Sequence, residues 1–197
     1  MDHHEFDDLV VKARTTRRFN ADTIVPREVL RELVELARLS PSSKNLQPLK
    51  YIIINEAPAR DELFGCLSWA RALKDWSGPA VNERPGGYII ILGDHAISQS
   101  FSCDHGIVAQ TMKLAAQARG YGSCMIASVN RERLHARFRI DKRYEILLVL
   151  ALGEPAEAVM IERLPADGNT DYWRDANEIH HVPKRSLEDV ILKEYAS

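Results

Sequence analysis

Hydrophobic positions recur at two different spacings along the chain, and each spacing predicts a different kind of element. Apolar residues after Pro26 fall on one face of a helix that is predicted to end near Ser40. A longer repeat of the same kind predicts a central helix from about Ser98 to Arg119, which Gly120 and Gly122 bring to an end. Shorter helices are predicted over residues 5–13, 131–137 and 186–192.

Short apolar runs between these helices predict strands. The runs cover residues 49–54, 88–92, 123–127 and 145–152. The last of them is apolar at nearly every position after Glu145, which is typical of a strand covered on both faces. We therefore expect a sheet that lies between helices.

Residues 153–183 show little periodicity and include the aromatic pair Tyr172 and Trp173. Long irregular segments within a domain are usually functional or wrap across a partner. We therefore expect one domain over residues 1–197, with 153–183 as an extended excursion at an active site or a dimer interface.

Composition and charge narrow the class of protein. The 197 residues are 45% hydrophobic and 27% charged, which is typical of a globular chain, and the net charge of -2 argues against binding to nucleic acid or an anionic membrane. Neither a membrane-length apolar run nor a signal peptide is found, so a cytoplasmic protein with no membrane partner is expected. Cys66, Cys103 and Cys124 are odd in number and widely spaced, which favours reduced, packed thiols.

Two clusters of polar residues are candidates for ligand binding. Arg14, Thr15, Arg17 and Arg18 offer guanidinium forks and a hydroxyl to a phosphate, although they are also compatible with a solvated helix face. Residues 39–48 offer serine hydroxyls and amide groups that can contact the polar edge of a flat ring, or simply form a turn. Because the two clusters are close in sequence, we interpret them as binding the two ends of one nucleotide.

Two other groups are weaker candidates. Cys103, Asp104 and His105 are contiguous, so their side chains cannot face one another as a nucleophile and its base would, and Asp104 is interpreted as a cap or an interface hydrogen-bond partner. His180 and His181 are adjacent and therefore point apart, so no metal site is predicted, although His181 is a candidate substrate contact.

Several runs of residues share their order and spacing with a known family. These runs are Arg14, Thr15, Thr16, Arg17, Arg18 and Phe19; residues 40–48; Asp104, His105, Gly106 and Gln110; residues 120–126; Arg143, Tyr144 and Glu145; residues 151–155; and Pro183, Lys184, Arg185 and Leu187. Together they resemble the FMN-dependent nitroreductase family over nearly the whole chain.

The resemblance implies an α+β fold with a mainly antiparallel central sheet flanked by helices, in an intertwined homodimer with two FMN sites. By position, the implied cofactor-binding residues are Arg14, Thr15, Arg17, Pro41, Ser42, Ser43, Asn45, Met125, Ile126, Ala127, Ser128, Lys184 and Arg185.

Each implied contact belongs to one part of the cofactor. Arg14, Thr15 and the Lys184–Arg185 pair are assigned to the phosphate, although the pair is also compatible with surface charge, and Arg17 is assigned to the pyrimidine edge. The serine and asparagine loop would reach the flavin of the partner subunit. Residues 125–128 would lie against the ring near N5.

The implied activity is hydride transfer from NAD(P)H through FMN to nitroaromatic, quinone or similar electron-poor acceptors in a ping-pong cycle. No catalytic side chain is required, because the flavin N5 does the chemistry. Ala13, Leu49 and Ala127 depart from common family residues, which leaves two alternatives open. One is a flavoenzyme of the same fold that performs dehydrogenation, dehalogenation or flavin remodelling, and the other is a non-enzymatic flavin-binding module.

Overall fold

The computed structural model describes residues 2–70, 72–73 and 75–195. The helices are α1 (His3–Lys12), α2 (Arg27–Arg38), α3 (Ala57–Phe64), α4 (Asp104–Gln117), α5 (Arg131–Arg137) and α6 (Leu187–Val190). The strands are β1 (Leu49–Ile54), β2 (Gly87–Asp94), β3 (Gly122–Ile126), β4 (Tyr144–Gly153), β5 (Val159–Arg163), β6 (Trp173–Arg174) and β7 (His180–Lys184). Within the described part of the chain, no helix combines the length and the apolar character of a membrane span.

The chain divides into two compact units, and each is described by itself. The first unit comprises Met1–Trp69 and Gly78–Ala156, and the second comprises Ala70–Ser77 and Glu157–Ser197, within the described residues of each. The single domain expected over residues 1–197 stays a prediction.

The first unit is built on a four-stranded sheet in the order β1-β2-β4-β3, in which every neighbouring pair is antiparallel. All residues of β2 are buried, because this inner strand is covered on both faces. The α+β class with a mainly antiparallel sheet flanked by helices is therefore confirmed.

Two apolar layers cover the two faces of this sheet. One layer joins α2 and α4 to strand residues that include Ile89, Ile91 and Leu150. The other joins α3 and α5 to Ile90 and Val149. The β2–β4 register shifts by one residue between Ile91 and Leu92, and this bulge at Leu147 places Ile146 and Val149 on the same face.

Helix boundaries follow local capping more closely than apolar spacing. Asp2 and Glu5 form a capping box, so α1 begins before the predicted residue 5. The central helix begins at Asp104 rather than Ser98, which corrects the prediction. Ser102 has a φ of 41°, which is incompatible with a continuing helix, and Phe101 turns into the core.

The second unit corrects the expectation that residues 153–183 are irregular. Three short strands form a sheet in the order β5-β7-β6, in which β5 and β7 are parallel and β6 and β7 are antiparallel. Sequence periodicity missed this sheet because β6 has two residues and β5 alternates weakly between exposed and half-buried positions.

Candidate flavin-binding site

The segment that contains the arginine cluster lies along the free edge of β3. Thr15 pairs with Ser123 in an isolated parallel bridge, and the Thr16 amide donates to the Ser123 carbonyl oxygen at 3.0 Å. A Cβ at Gly122 would lie 2.6 Å from Thr16 Oγ1, so this close approach requires glycine at position 122. The segment is therefore held by backbone contacts at the sheet edge.

The other end of the segment is fixed to the end of β4. Phe19 is fully buried and pairs with Pro155, and the Asn20 amide donates to the Glu154 carbonyl oxygen at 2.9 Å. The Glu154 carboxylate accepts hydrogen bonds from Thr23 and Asn20, which lower its pKa. Both ends of the cationic segment are thus anchored within the first unit.

The cations of the segment have different surroundings. Arg18 Nε lies 3.4 Å from Glu83 Oε1 in an ion pair, so the Glu83 carboxylate partly neutralises the charge of Arg18. Arg14 donates to the Val10 carbonyl oxygen, but its Nε is buried and has no hydrogen-bond partner in the part of the chain that the structure describes. A buried donor without an acceptor fits a site for an anion such as the FMN phosphate.

A lysine that the sequence patterns did not single out lies beneath this segment. Lys113, on the buried face of α4, donates to the Arg14 carbonyl oxygen at 2.8 Å and to the Ser123 carbonyl oxygen at 3.3 Å. Burial, with the charges of Arg14 and Arg17, lowers the pKa of Lys113 to about 8, and Cys124 acts in the opposite direction. Its signal in the sequence is a lysine at helical spacing from buried alanines.

The serine loop is tied to the start of α4. Asp104 is 2% exposed, and its carboxylate accepts from Ser42 Oγ at 2.8 Å and from the Ser43 amide at 3.0 Å. Ser42 Oγ accepts in turn from the Gln47 amide at 3.0 Å. Asp104 is therefore a hydrogen-bond partner within the chain, and the helix cap position itself is Cys103.

A cavity of about 400 Å³ opens beside this loop. Its lining combines apolar side chains of α2 with Pro41, Ser42 and Tyr51. Burial, with a smaller contribution from the Asp104 charge, raises the pKa of Tyr51 to about 12, so its hydroxyl is neutral at physiological pH. The volume lies within the range of ligand pockets.

The other predicted ring contacts lie at the end of β3. Met125 and Ile126 complete the strand, and Ala127 and Ser128 follow it with exposed side chains. The structure therefore places Thr15 beside β3, the strand that Met125 and Ile126 complete and that Ala127 and Ser128 follow. Asn45 and Ser43 are exposed on the loop that Asp104 holds.

The late basic pair belongs to the second unit. Lys184 is the last residue of β7, Arg185 follows it, and both side chains are exposed. Their contact with phosphate stays a prediction. In the same unit, His181 stacks on Trp173 with ring centroids 4.1 Å apart, and its Nδ1 lies 2.8 Å from Glu162 Oε1.

An antiparallel sheet between helices, with a cationic segment on its edge strand, defines an α+β protein with a candidate site for a phosphorylated ligand. The sequence profile of the nitroreductase family matches residues 10–154. The chain belongs to the nitroreductase family.

Relatives and solved structures agree with this membership. A 4-nitrobenzoate reductase from Pseudomonas putida is 24% identical, over 81% of this chain and 89% of its own. YdgI of Bacillus subtilis, named as a candidate NAD(P)H nitroreductase, is 24% identical over 83% of this chain and 95% of its own. A candidate nitroreductase from Desulfovibrio desulfuricans, solved in complex with FMN, has a TM-score of 0.70 and 21% identity over 96% of each chain, which shows the shared fold.

Proposed function

We propose that the chain is an FMN-dependent oxidoreductase that takes hydride from NAD(P)H and reduces nitroaromatics, quinones or similar electron-poor acceptors in a ping-pong cycle. The observation that carries the proposal is the cationic segment on β3, where the buried Arg14 Nε has no partner among the described residues. The names of the relatives and the FMN complex of a protein with the same fold support it.

The chain's own residues would bind and orient the flavin. Arg14 and Thr15 would hold the phosphate, with Lys184 and Arg185 as further contacts, and Arg17 would lie at the pyrimidine edge. Residues 125–128 would lie beside N5. When bound, FMN supplies the hydride chemistry at N5, and the protein supplies orientation and charge.

A homodimer is part of the proposal. Ser42 is held at the first residue of α4 and Arg14 at Lys113, nine residues along the helix, which separates these anchors by about 14 Å along the axis. We propose, from the family resemblance rather than from this separation, that the serine loop serves the flavin of a second copy. The exposed Leu39 and Leu46 beside this loop provide apolar surface for such a contact.

An anaerobic absorbance titration tests the activity. The FMN-loaded protein is titrated with NADH and then with NADPH, and a nitroaromatic or a quinone is added afterwards. Bleaching of the flavin band followed by rapid recovery is expected. Bound FMN that neither coenzyme bleaches would favour different flavin chemistry, and an absence of bound FMN would overturn the proposal.

The phosphate contact has its own test. Arg14→Ala should weaken FMN binding by about 1.5–3 kcal/mol, the scale of a hydrogen bond to a charged group. Arg137→Ala is the matched control, because Arg137 is exposed on α5 and pairs with Glu62. Unchanged FMN affinity of Arg14→Ala in a titration calorimeter would remove Arg14 from the site.

A further inference from the structure

Lys113 occupies a position at which a charge is costly. Its neighbours at helical spacing on α4, Ala109 and Ala116, are fully buried, as is Met112, and Lys113 itself is 7% exposed. A buried ammonium group loses hydration, and lysine is almost never fully buried without a charged partner. A buried lysine at this position therefore points to a specific role for its charge.

The partners of Lys113 do not neutralise it. Both hydrogen bonds of its Nζ go to backbone carbonyl oxygens, those of Arg14 and Ser123. Among the described residues no carboxylate forms an ion pair with it. Burial and, to a smaller extent, Arg14 and Arg17 disfavour its charged form, and Cys124 favours it. Lys113 therefore places a charge without a described carboxylate partner beneath the backbone of Arg14 at the sheet edge, an arrangement that an anion would stabilise.

We propose that Lys113 is a positioning residue of the FMN phosphate site, which fixes the Arg14 backbone against β3 and adds a positive charge from beneath. The inference rests on the proposed function, because it names a residue for the same cofactor. The arrangement suits this chain in particular, because position 13, directly before Arg14, is a buried alanine that brings no charge. The additional cation comes instead from α4.

The effect of Lys113 on two related flavins distinguishes such a role from a purely structural one. The charge acts on the phosphate, so Lys113 should matter for FMN and matter little for riboflavin, which has the same ring and no phosphate. A purely structural role would affect both flavins equally.

The protonation of Lys113 gives a second signature. Its pKa of about 8 is set by burial and by Arg14 and Arg17, with Cys124 opposing them. A bound phosphate raises this pKa, so FMN binding takes up a proton above pH 8. Affinity for FMN should therefore fall relative to riboflavin between about pH 7 and pH 9.

The experiment compares both flavins in flavin-free wild type, Lys113→Met, Lys113→Arg and Lys12→Met. At pH 7, Lys113→Met should lose roughly ten- to hundred-fold in FMN affinity, the range expected for a charge-assisted hydrogen bond, and only a few-fold in riboflavin affinity. Lys113→Arg should retain most of the FMN affinity. Lys12→Met is the control, because Lys12 is exposed on α1 and its loss changes the net charge equally.

Each outcome decides the inference. Equal losses for FMN and riboflavin in Lys113→Met, or no loss for either, would overturn it. Circular dichroism checks that the variant is folded. If Lys113→Met does not fold, the pH dependence of the wild-type FMN-to-riboflavin affinity ratio decides instead, and a ratio that stays constant from pH 7 to 9 would overturn the inference.

A further arm separates this inference from the proposed function. Inorganic phosphate is added to the flavin-free proteins and the melting temperature is measured. Stabilisation of wild type that is lost in Lys113→Met supports an anion site at Lys113 even if wild type binds no FMN, in which case only the proposed function fails. Stabilisation that is equal in both, or absent in both, overturns the inference.

Discussion

The two units of this chain hold their sheets together by different forces. In the first unit, the four-stranded sheet lies between two apolar layers, and its central strands are buried along most of their length. In the second unit, His180 and His181 are the only described residues that are buried as whole residues, although the side chains of Glu157 and Arg174 are also buried. One sheet is thus stabilised by hydrophobic burial, and the other by polar and aromatic contacts.

The contacts of the second unit are specific pairs. Arg174 Nη2 lies 2.8 Å from Glu157 Oε2, and the same guanidinium lies 4.6 Å from the centre of the Trp76 ring. His181 stacks on Trp173 and bonds to Glu162. Hydrophobic burial tolerates changes of pH and charge, but such pairs do not, so the two units should respond differently to the same kinds of perturbation.

The largest effect is expected when a buried ion pair of the second unit loses one partner. Glu157→Gln leaves the Arg174 charge, only 9% exposed, without its carboxylate, and this should cost about 3–5 kcal/mol. Amide exchange should report the loss in β5 and β7. Glu35→Gln, in an exposed pair with Arg38, is the matched substitution and should cost under about 1 kcal/mol. Similar losses of stability in the two variants would contradict the expected difference between the buried and the exposed ion pair.

Truncation of a core residue in the first unit should cost slightly less. Leu150→Ala removes a fully buried side chain from β4 and should lower the free energy of unfolding by about 2–5 kcal/mol in urea denaturation. Met160→Ala, at a position of β5 that is 47% exposed, should cost under about 1 kcal/mol. Equal losses would mean that burial does not distinguish the two sheets.

Lys113 is an exception to the apolar character of the first unit. Its burial should make the free energy of unfolding rise with pH, whereas the substitutions above lower that free energy. Burial lowers its pKa from 10.5 to about 8, so the unfolded state binds more protons between these values. The free energy of unfolding of the flavin-free protein should rise across this pH range, by up to about 3 kcal/mol. Lys113→Met should remove the rise in thermal melts. A rise that persists in the variant would assign it to another group.

The smallest effect concerns the pH response of the second unit. The hydrogen bond to Glu162, opposed by burial and aided by Asp175, raises the pKa of His181 above its ordinary 6.5. Its contribution to stability is therefore complete below pH 6.5 and is lost as the pH rises through the folded value. Protection factors of β7 amides should fall over that range in wild type and stay level in His181→Gln. Identical protection profiles in wild type and His181→Gln would exclude His181 as the titrating group.

The sequence predicted elements where periodicity reflects burial. β1 has the predicted bounds, because its apolar run packs against the two layers on the faces of the sheet. α5 also has the predicted bounds, although Leu134 is its only buried residue. α3 was missed, because no apolar face marks it in the sequence. β6 and β7 were missed because aromatic stacking and ion pairs, which have no sequence period, hold them together.

The candidate site was predictable in part for a similar reason. Arg14, Thr15 and Arg17 lie within four residues of one recognisable motif, so the sequence alone marks them as candidates. Lys113 contacts Arg14 across 99 residues of chain, and only the fold reveals that proximity. The role of Ser42 was predicted from its residue type, but its bond to Asp104 was not.

The anchoring of the cationic segment constrains when the site can form during synthesis. Thr15 and Thr16 contact Ser123, and Phe19 and Asn20 contact Pro155 and Glu154, so more than one hundred residues of chain separate the two sides of each contact. During synthesis, the segment therefore lacks part of its anchoring until Pro155 has left the ribosome. The candidate site is incomplete until these long-range contacts form.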